Sequence, residues 1–420
     1  MALETQLTYM PPSLGLQTRG TKFYRKGKEW RGIGLSHFSL AVNSFIDLGV
    51  GGIRSGAADM DDILSYDLPF VRLAFGGYDR YSWQYWWNNR STWYGKLDAI
   101  VAMAESKGLG LIPCLMWDAR GLTDLAYYAY GALEGPAKLA VAGSNSRGIF
   151  QTLVSEIVTR YRNSPAIWAW EIDNEAFDNC GPSYYKFWAP DGTLNSALGF
   201  TFDWGKRPDG TSVYTTSDFL NLNTFHDFSR WAVETVKRAD GYGRFVANGT
   251  AMGTSYAVTA QTTNSSAADT LAQWNSAVDG MSWPACRDRT SDTICIHVYP
   301  QKPNGLVFWG GQPNTIGPII AKHKAWADAA NKPFYLGEFG ATYHGDPVDK
   351  YSTDLASEKT NFAEALAAVV ANDVRLSTVW NYDGNYSGAS TWMKWPLNKA
   401  DRRYQLDAIA AANASIQTNN

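Results

Sequence analysis

The residues with the clearest chemistry are two glutamates, each closing an apolar run. In AIWAWEIDNEAF the run 166–173 ends on Asn174-Glu175, where the chain turns polar, and in KPFYLGEFGA the run 333–338 ends on Glu338. Short apolar runs of this kind read as strands buried on both faces. A carboxyl group at the C-terminal end of such a strand points into the cleft above the sheet. Two of them, from different strands, supply what cleavage of a glycosidic bond needs. One acid protonates the leaving oxygen, and one carboxylate serves as base or nucleophile. A lone glutamate at a strand end is more often a cap or half of an ion pair, so the pair carries the weight.

The elements that must position this pair recur along the whole chain. Apolar runs bounded by turn residues fall at 31–35, 69–74, 109–116, 166–173, 244–248, 293–298, 333–338 and 376–381. Helical patterns lie between them. In 95–106 Leu97, Ile100, Val101 and Ala104 share a face, and in 148–162 Ile149, Leu153, Ile157 and Tyr161 do the same. Segment 217–239 opens on the cap candidates Ser217 and Asp218, and 319–330, 356–372 and 401–413 complete the set. Eight strands alternating with helices over an uninterrupted chain predict an α/β fold, a single (β/α)8 TIM barrel with long βα loops at its C-terminal face. The expected organisation is one catalytic domain over 1–420, with the barrel at about 30–415 and an N-terminal extension over 1–29. Connections 75–94, 117–146 and 176–216 follow strands two, three and four and fall on the face where barrel active sites sit. The first carries Trp83, Trp86, Trp87 and Trp93. These rings either build a small core under the loop or stand exposed as platforms for sugar rings, and their concentration on the functional face favours platforms.

Taken in order, the strand ends resemble glycoside hydrolase family 5, in the large clan of retaining (β/α)8 glycosidases. The positions are Arg72 in FVRLAF, Asn174-Glu175 in EIDNEA, His297 and Tyr299 in IHVYP, Glu338 in LGEFG and Trp380 in TVWNYDG. The match runs over about residues 30–400. The resemblance implies Glu175 as general acid/base and Glu338 as nucleophile. It also implies that Arg72 and Tyr299 keep Glu338 ionised and that Asn174 binds the 2-hydroxyl of the cleaved sugar. His297 would orient Glu175 or meet the leaving sugar, and Trp380 would floor the subsite. One position departs from the pattern. Where the family usually has a histidine, strand three ends LMWDARG, so Trp117 or Asp118 stands there. Either the subsite is rebuilt, with Asp118 accepting a sugar hydroxyl, or Asp118 is structural. Glu171 and Asp173, just upstream of the pair, read as buried strand-end acids bonded to neighbouring strands.

The expected activity is that of a retaining endo-β-glycosidase on a β-linked polysaccharide, with β-1,4-glucan and β-mannan the leading substrates. No metal and no cofactor is expected. An exo-acting β-glycosidase or transglycosylase on the same scaffold is the alternative. A non-hydrolytic carbohydrate-binding barrel is a different class of answer, which would need neither carboxylate.

Composition fits this reading. In 420 residues, 37 basic against 40 acidic side chains leave a net charge of −3, which excludes a broadly basic nucleic-acid surface. Charged residues are only 18% and aromatic residues 14%, with 18 Trp, 23 Tyr and 18 Phe, so much of the surface must be neutral and ring-rich. No apolar run reaches the roughly 18 residues of a membrane-spanning helix. The start, MALETQLTYMPPSLG, lacks the pattern of a signal peptide. Because polymer substrates lie outside cells, the expectation is a monomer that is secreted or periplasmic with its leader trimmed; a cytoplasmic location is the alternative. Cys114 and Cys295 sit in apolar runs and read as free core thiols, whereas Cys180 and Cys286 sit in polar stretches where a disulfide is conceivable.

Overall fold

The computed structural model describes residues 14–41, 56–77, 80–175, 208–210, 215–218, 220, 222–250, 291–298, 316–341, 343–344, 352–382 and 396–418. Three short strands come first, β1 (Leu16–Arg19), β2 (Lys22–Arg25) and β3 (Lys28–Trp30), forming an antiparallel sheet. Lys26 and Gly27 both take positive φ, 51° and 76°, the two-residue turn that suits the twist of a hairpin.

The barrel strands are β4 (Gly32–Ser36), β5 (Phe70–Ala74), β6 (Gly110–Met116), β7 (Trp170–Asp173), β8 (Val246–Ala247), β9 (Ile294–Val298), β10 (Phe334–Phe339) and β11 (Leu376–Trp380). Each overlaps one of the eight apolar runs. Among the described residues they form one parallel sheet in the order β8-β7-β6-β5-β4-β11-β10-β9. Strand β4 pairs with β11, from Gly32 opposite Leu376 to Ser36 opposite Trp380, so the first and last barrel strands are neighbours. The arrangement is a nearly closed (β/α)8 barrel.

Around it lie α1 (Gly56–Leu64), α2 (Arg80–Asn88), α3 (Arg90–Lys107), α4 (Ala119–Tyr130), α5 (Asn145–Tyr161), α6 (Leu222–Asp240), α7 (Ile316–Ala329), α8 (Leu355–Ala371) and α9 (Tyr404–Thr418). The predicted faces of α3 and α5 are the buried ones: Leu97, Ile100, Val101 and Ala104 on α3, and Ile149, Leu153, Ile157 and Tyr161 on α5. None of the described helices is long and apolar enough to cross a membrane.

Two expected loops are corrected. Segment 75–94 is mostly α2 and the start of α3, and 117–146 contains α4 and a 3-10 turn at Pro136–Ala140. Trp83, Trp86 and Trp93 have no exposed surface and Trp87 is half-buried, so the first three cannot be sugar platforms. Trp83 meets Trp86 edge-on at 5.9 Å, and the Trp86 indole N–H donates to the Tyr94 hydroxyl at 2.9 Å. Burying three indoles here removes more apolar surface from water than stacking on sugar could, and the N–H groups of Trp83 and Trp86 find partners inside.

The N-terminal sheet covers the end of the barrel opposite the site. Phe23 packs on Phe245 at 4.9 Å, and Trp30 stands edge-on to Phe70 at 5.8 Å and Trp168 at 5.4 Å. Residues Phe70, Ile112, Cys295, Tyr335 and Leu376 continue this apolar cluster into the barrel. Higher up, the buried inward positions turn polar: Arg72, Glu171, His297 and Glu338. Cys114 and Cys295 are buried free thiols; Cys180 and Cys286 lie outside the described residues.

Candidate active site

Arg72, near the middle of β5, organises the mouth. It is wholly buried and its guanidinium is shared among three neighbours. Nε donates to both Glu171 oxygens at 2.8 and 3.0 Å, Nη1 to Glu338 Oε1 at 2.6 Å, and Nη2 to Asn174 Oδ1 at 2.7 Å. Burial alone would disfavour the cation, but Glu171 and Glu338 outweigh it and hold Arg72 firmly protonated. Its flat face lies 4.7 Å from the Trp117 ring.

The two glutamates reach the mouth by local backbone devices. Glu175 follows β7 with φ +54°, a left-handed conformation that costs a non-glycine residue about 1 kcal/mol or more. The turn is held because Glu175 N donates to Gly249 O at 2.9 Å and Asn174 N to Met116 O at 3.0 Å. Gly249 must lack a side chain, since a Cβ there would fall 1.7 Å from Asp173 O. Glu338 is aimed by an irregularity in β10. Against β9, Leu336 faces Ile296 and Glu338 faces His297, which leaves Gly337 as the extra residue of a bulge.

His297, on β9, joins the two carboxyl groups. Its Nδ1 lies 2.7 Å from Glu175 Oε1 and 3.6 Å from Glu338 Oε1. One donor atom from each of Glu175, His297 and Glu338 can be chosen so that all three fall within 4.8 Å of one another. That spacing would also suit a cation, and among the described residues no other group of three such side chains has it. The hydrogen bond between His297 Nδ1 and Glu175 Oε1 gives the trio a role without one.

The environments of the two acids differ. Glu175 keeps about a quarter of its side chain (26%) open to solvent, yet its carboxyl group sits deep in the mouth. Desolvation pushes it up to about 7, with Arg72 pulling weakly the other way. Glu338 is 4% exposed and bound to the guanidinium. Burial lowers His297 to about 4 despite the nearby carboxylates, so the ring is neutral at neutral pH.

Trp380, at the end of β11, and Trp117, just past β6, stack at 6.1 Å and 24° to form one wall. The Trp380–Asn381 peptide bond is cis. Sequence reasoning missed Phe38, just past β4, which stacks on Trp380 at 5.5 Å and lies 5.6 Å from Trp117. Asp118 caps α4, its oxygens accepting from Arg120 N at 3.1 Å and Gly121 N at 3.0 Å. Burial raises its carboxyl to about 6 against the pull of Arg120. Tyr299 lies outside the described residues.

The structure therefore brings Arg72, Trp117, Asn174, Glu175, His297, Glu338 and Trp380 to one end of the barrel. The sequence profile of Cellulase (glycosyl hydrolase family 5) matches residues 32–385, most of the chain and all seven of these positions. The chain belongs to glycoside hydrolase family 5. Within the family setting, the chain is 28% identical over 176 residues to the mannan endo-1,4-beta-mannosidase F of Aspergillus fumigatus, covering 35% of this chain and 39% of that protein. It is 24% identical over 275 residues to a probable mannan endo-1,4-beta-mannosidase A-1 of Aspergillus terreus, covering 64% of this chain and 56% of that one. The chain thus matches well under two thirds of the length of these relatives. The endo-1,4-beta-mannanase structure of Rhizomucor miehei superposes with a TM-score of 0.63 at 18% identity, covering 96% of this chain and 99% of that one, which places the family 5 barrel fold beyond the sequence match.

Gly337 offers a direct test of the site's geometry in this family 5 chain. A Cβ there would fall 2.7 Å from His297 Nε2 and 3.0 Å from Cys295 Sγ, so the ring must move. Gly337→Ala is expected to lower kcat up to about a hundredfold, the cost of misplacing a catalytic group by around 1 Å. Circular dichroism should show a folded barrel, and unchanged kcat would mean that His297 does not hold Glu175 in register.

Proposed function

We propose that this chain is a retaining endo-β-1,4-mannanase. The observation that carries the reading is the close approach of the Glu175 and Glu338 carboxyl groups in contrasting environments. Oxygen atoms within 4.8 Å suit the roughly 5–5.5 Å of double displacement, not the 6.5–9.5 Å that leaves room for water in an inverting site. Glu338, held by Arg72, attacks the anomeric carbon as the bond to the leaving oxygen breaks. Glu175, protonated up to about pH 7, gives its proton to that oxygen. In the second half, Glu175 takes a proton from water, which attacks the same carbon and releases Glu338. His297 steadies Glu175 through the change of charge. Asn174, its carbonyl oxygen accepting from Arg72, donates through its amide nitrogen to the 2-hydroxyl. One cation, Arg72, set against Glu171 and Glu338 leaves net negative charge to meet the oxocarbenium ion. The Trp117–Trp380 wall takes the apolar face of the sugar.

The choice of mannan rests on the names of the relatives and of the structural neighbour, applied to a site of matching chemistry. A secreted, monomeric catalytic domain suits a polymer that cannot enter a cell. The test is a product profile on β-mannan, β-1,4-glucan and xylan with the anomer of the first product read by NMR. Mixed manno-oligosaccharides released as the β-anomer are expected. Release of mannose alone would make the enzyme exo-acting, and an α-anomer would overturn the retaining mechanism.

A further inference from the structure

Strand β10 breaks its register on both sides at the same place. Against β9 the pairs step from Leu336–Ile296 to Glu338–His297, and against β11 they step from Leu336–Ser377 to Phe339–Val379. Gly337 is therefore skipped by both neighbours, and on β11 Thr378 is left without a register partner on β10. The two residues meet: the Thr378 hydroxyl donates to the Gly337 carbonyl. Thr378 has no exposed surface and Gly337 is buried, so water does not compete for the bond. On its other side Thr378 pairs with Gly34 of β4, which carries no side chain to crowd the hydroxyl. Branching at Cβ restricts the χ1 rotamers of threonine, so the hydroxyl is aimed by the strand that carries it.

We propose that Thr378 is a positioning residue for Glu338, its hydroxyl fixing the peptide unit from which that side chain departs. This rests on the reading of Glu338 as nucleophile given above. The Gly337 carbonyl and the Glu338 N–H belong to one planar unit, so holding the oxygen sets the rotation of that plane at the Glu338 Cα. No other unit of the strand has more need of a restraint from outside. Position 337 has no room for a side chain, because a Cβ would fall 2.7 Å from His297 Nε2 and 3.0 Å from Cys295 Sγ. Glycine is also the residue whose own backbone restrains it least. The bulge has locally disrupted the ladder that elsewhere fixes a strand, and a side-chain donor from β11 supplies the missing restraint. At its far end Glu338 is gripped by Arg72, whose Nη1 donates to Oε1 at 2.6 Å. That guanidinium is also bound to Glu171 and Asn174, so it is not free to follow a carboxylate that shifts. The effect of Thr378 thus passes through Glu338 and falls on the step in which Glu338 attacks.

The test compares the full chain with Thr378→Val, which keeps the shape and loses the donor, and Thr378→Ser, which keeps the donor. Each is treated with aryl 2-deoxy-2-fluoro glycosides of the β-manno- and β-gluco-oligosaccharide series. The Glu338 carboxylate attacks the anomeric carbon, aryl oxide leaves, and the resulting ester persists. Mass spectrometry reads the labelling rate and the final fraction labelled, with Glu338→Ala as the unlabelled control. Thr378→Val is expected to label about ten- to a hundredfold more slowly at saturation, the scale of a catalytic group misplaced by around 1 Å. Its half-saturating concentration and final fraction should be unchanged, and Thr378→Ser should label at close to the parent rate. Labelling at the parent rate with a reduced final fraction would mean that Thr378 supports folding alone, and overturns the proposal. So does a serine variant as slow as the valine variant. Should Thr378→Val not fold, Thr378→Cys, whose thiol is a weak donor, is expected to label more slowly than Thr378→Ser, and equal rates overturn the proposal. A parent labelled by the gluco compound alone faults the mannan reading and leaves the comparison intact. A parent labelled by neither faults the nucleophile reading, and a crystal structure of Thr378→Val then decides: Glu338 displaced from Arg72 Nη1 supports the proposal, and Glu338 unmoved overturns it.

Discussion

Replacing Glu338 by alanine should lower kcat by about 10⁴-fold or more, the scale on which removal of a nucleophile is felt in other enzymes, while manno-oligosaccharide binding persists. The loss itself does not separate nucleophile from acid, but stereochemistry does. With an aryl β-manno-oligosaccharide, whose leaving group needs no proton, azide can occupy the space that the missing carboxylate leaves. In Glu338→Ala it attacks the anomeric carbon once as aryl oxide departs, so the product is the α-azide. In Glu175→Ala the Glu338 ester still forms, and azide attacks it from the other face to give the β-azide. If the two variants gave the opposite anomers, the roles of the glutamates would be exchanged. The pH profile is a second check. Glu175 must hold its proton in the first step, and burial sets that proton's loss near pH 7, so kcat/KM should fall as pH rises through about 7. In Glu175→Gln that alkaline limb should vanish from whatever activity on the aryl substrate remains.

The parts of this molecule that are readable in sequence are those buried on both faces. The barrel strands contain long apolar stretches because each lies between the barrel interior and the surrounding helices, and all eight runs coincide with strands. The polar residues that interrupt them, Arg72, His297 and Glu338, stand out for the same reason: a charge on such a strand needs a partner. The helix Arg80–Asn88 was hidden by its composition. RYSWQYWWN is poor in strong helix formers, and its tryptophans suggest a surface with a function. Their spacing held the contrary signal: Trp83, Trp86 and Trp87 sit at i, i+3 and i+4, the period of one helical face. The contribution of Phe38 could not be seen because its partners, Trp117 and Trp380, are far away in the chain. The bulge at Gly337 was equally invisible, since one extra residue in a strand leaves no mark on an apolar run. Asp118 shows the limit from the other side. A cap and a sugar ligand are both written as an acid before a helix, and only the contacts to Arg120 N and Gly121 N show the capping role.

Arg72 is where stability and catalysis meet, and the two can be pulled apart by experiment. Arg72→Met is expected to destabilise the protein by about 3–5 kcal/mol, because it strands Glu171 as a buried charge without its partner. Glu171 has no exposed surface and accepts from Nε through both oxygens, so water cannot replace the guanidinium. Adding Glu171→Gln removes the stranded charge and should restore most of the melting temperature. Activity should not return with stability. In the double variant Glu338 still lacks its bond to Nη1 and Asn174 its bond to Nη2, so a loss of at least about a hundredfold in kcat/KM should remain, the scale set by removing a preorganised charge-stabilising group. A double variant that recovers both folding and turnover would reduce Arg72 to a structural counter-ion for Glu171. One that recovers neither would mean that Glu171 has a part in orienting Glu338 that a neutral amide cannot take over.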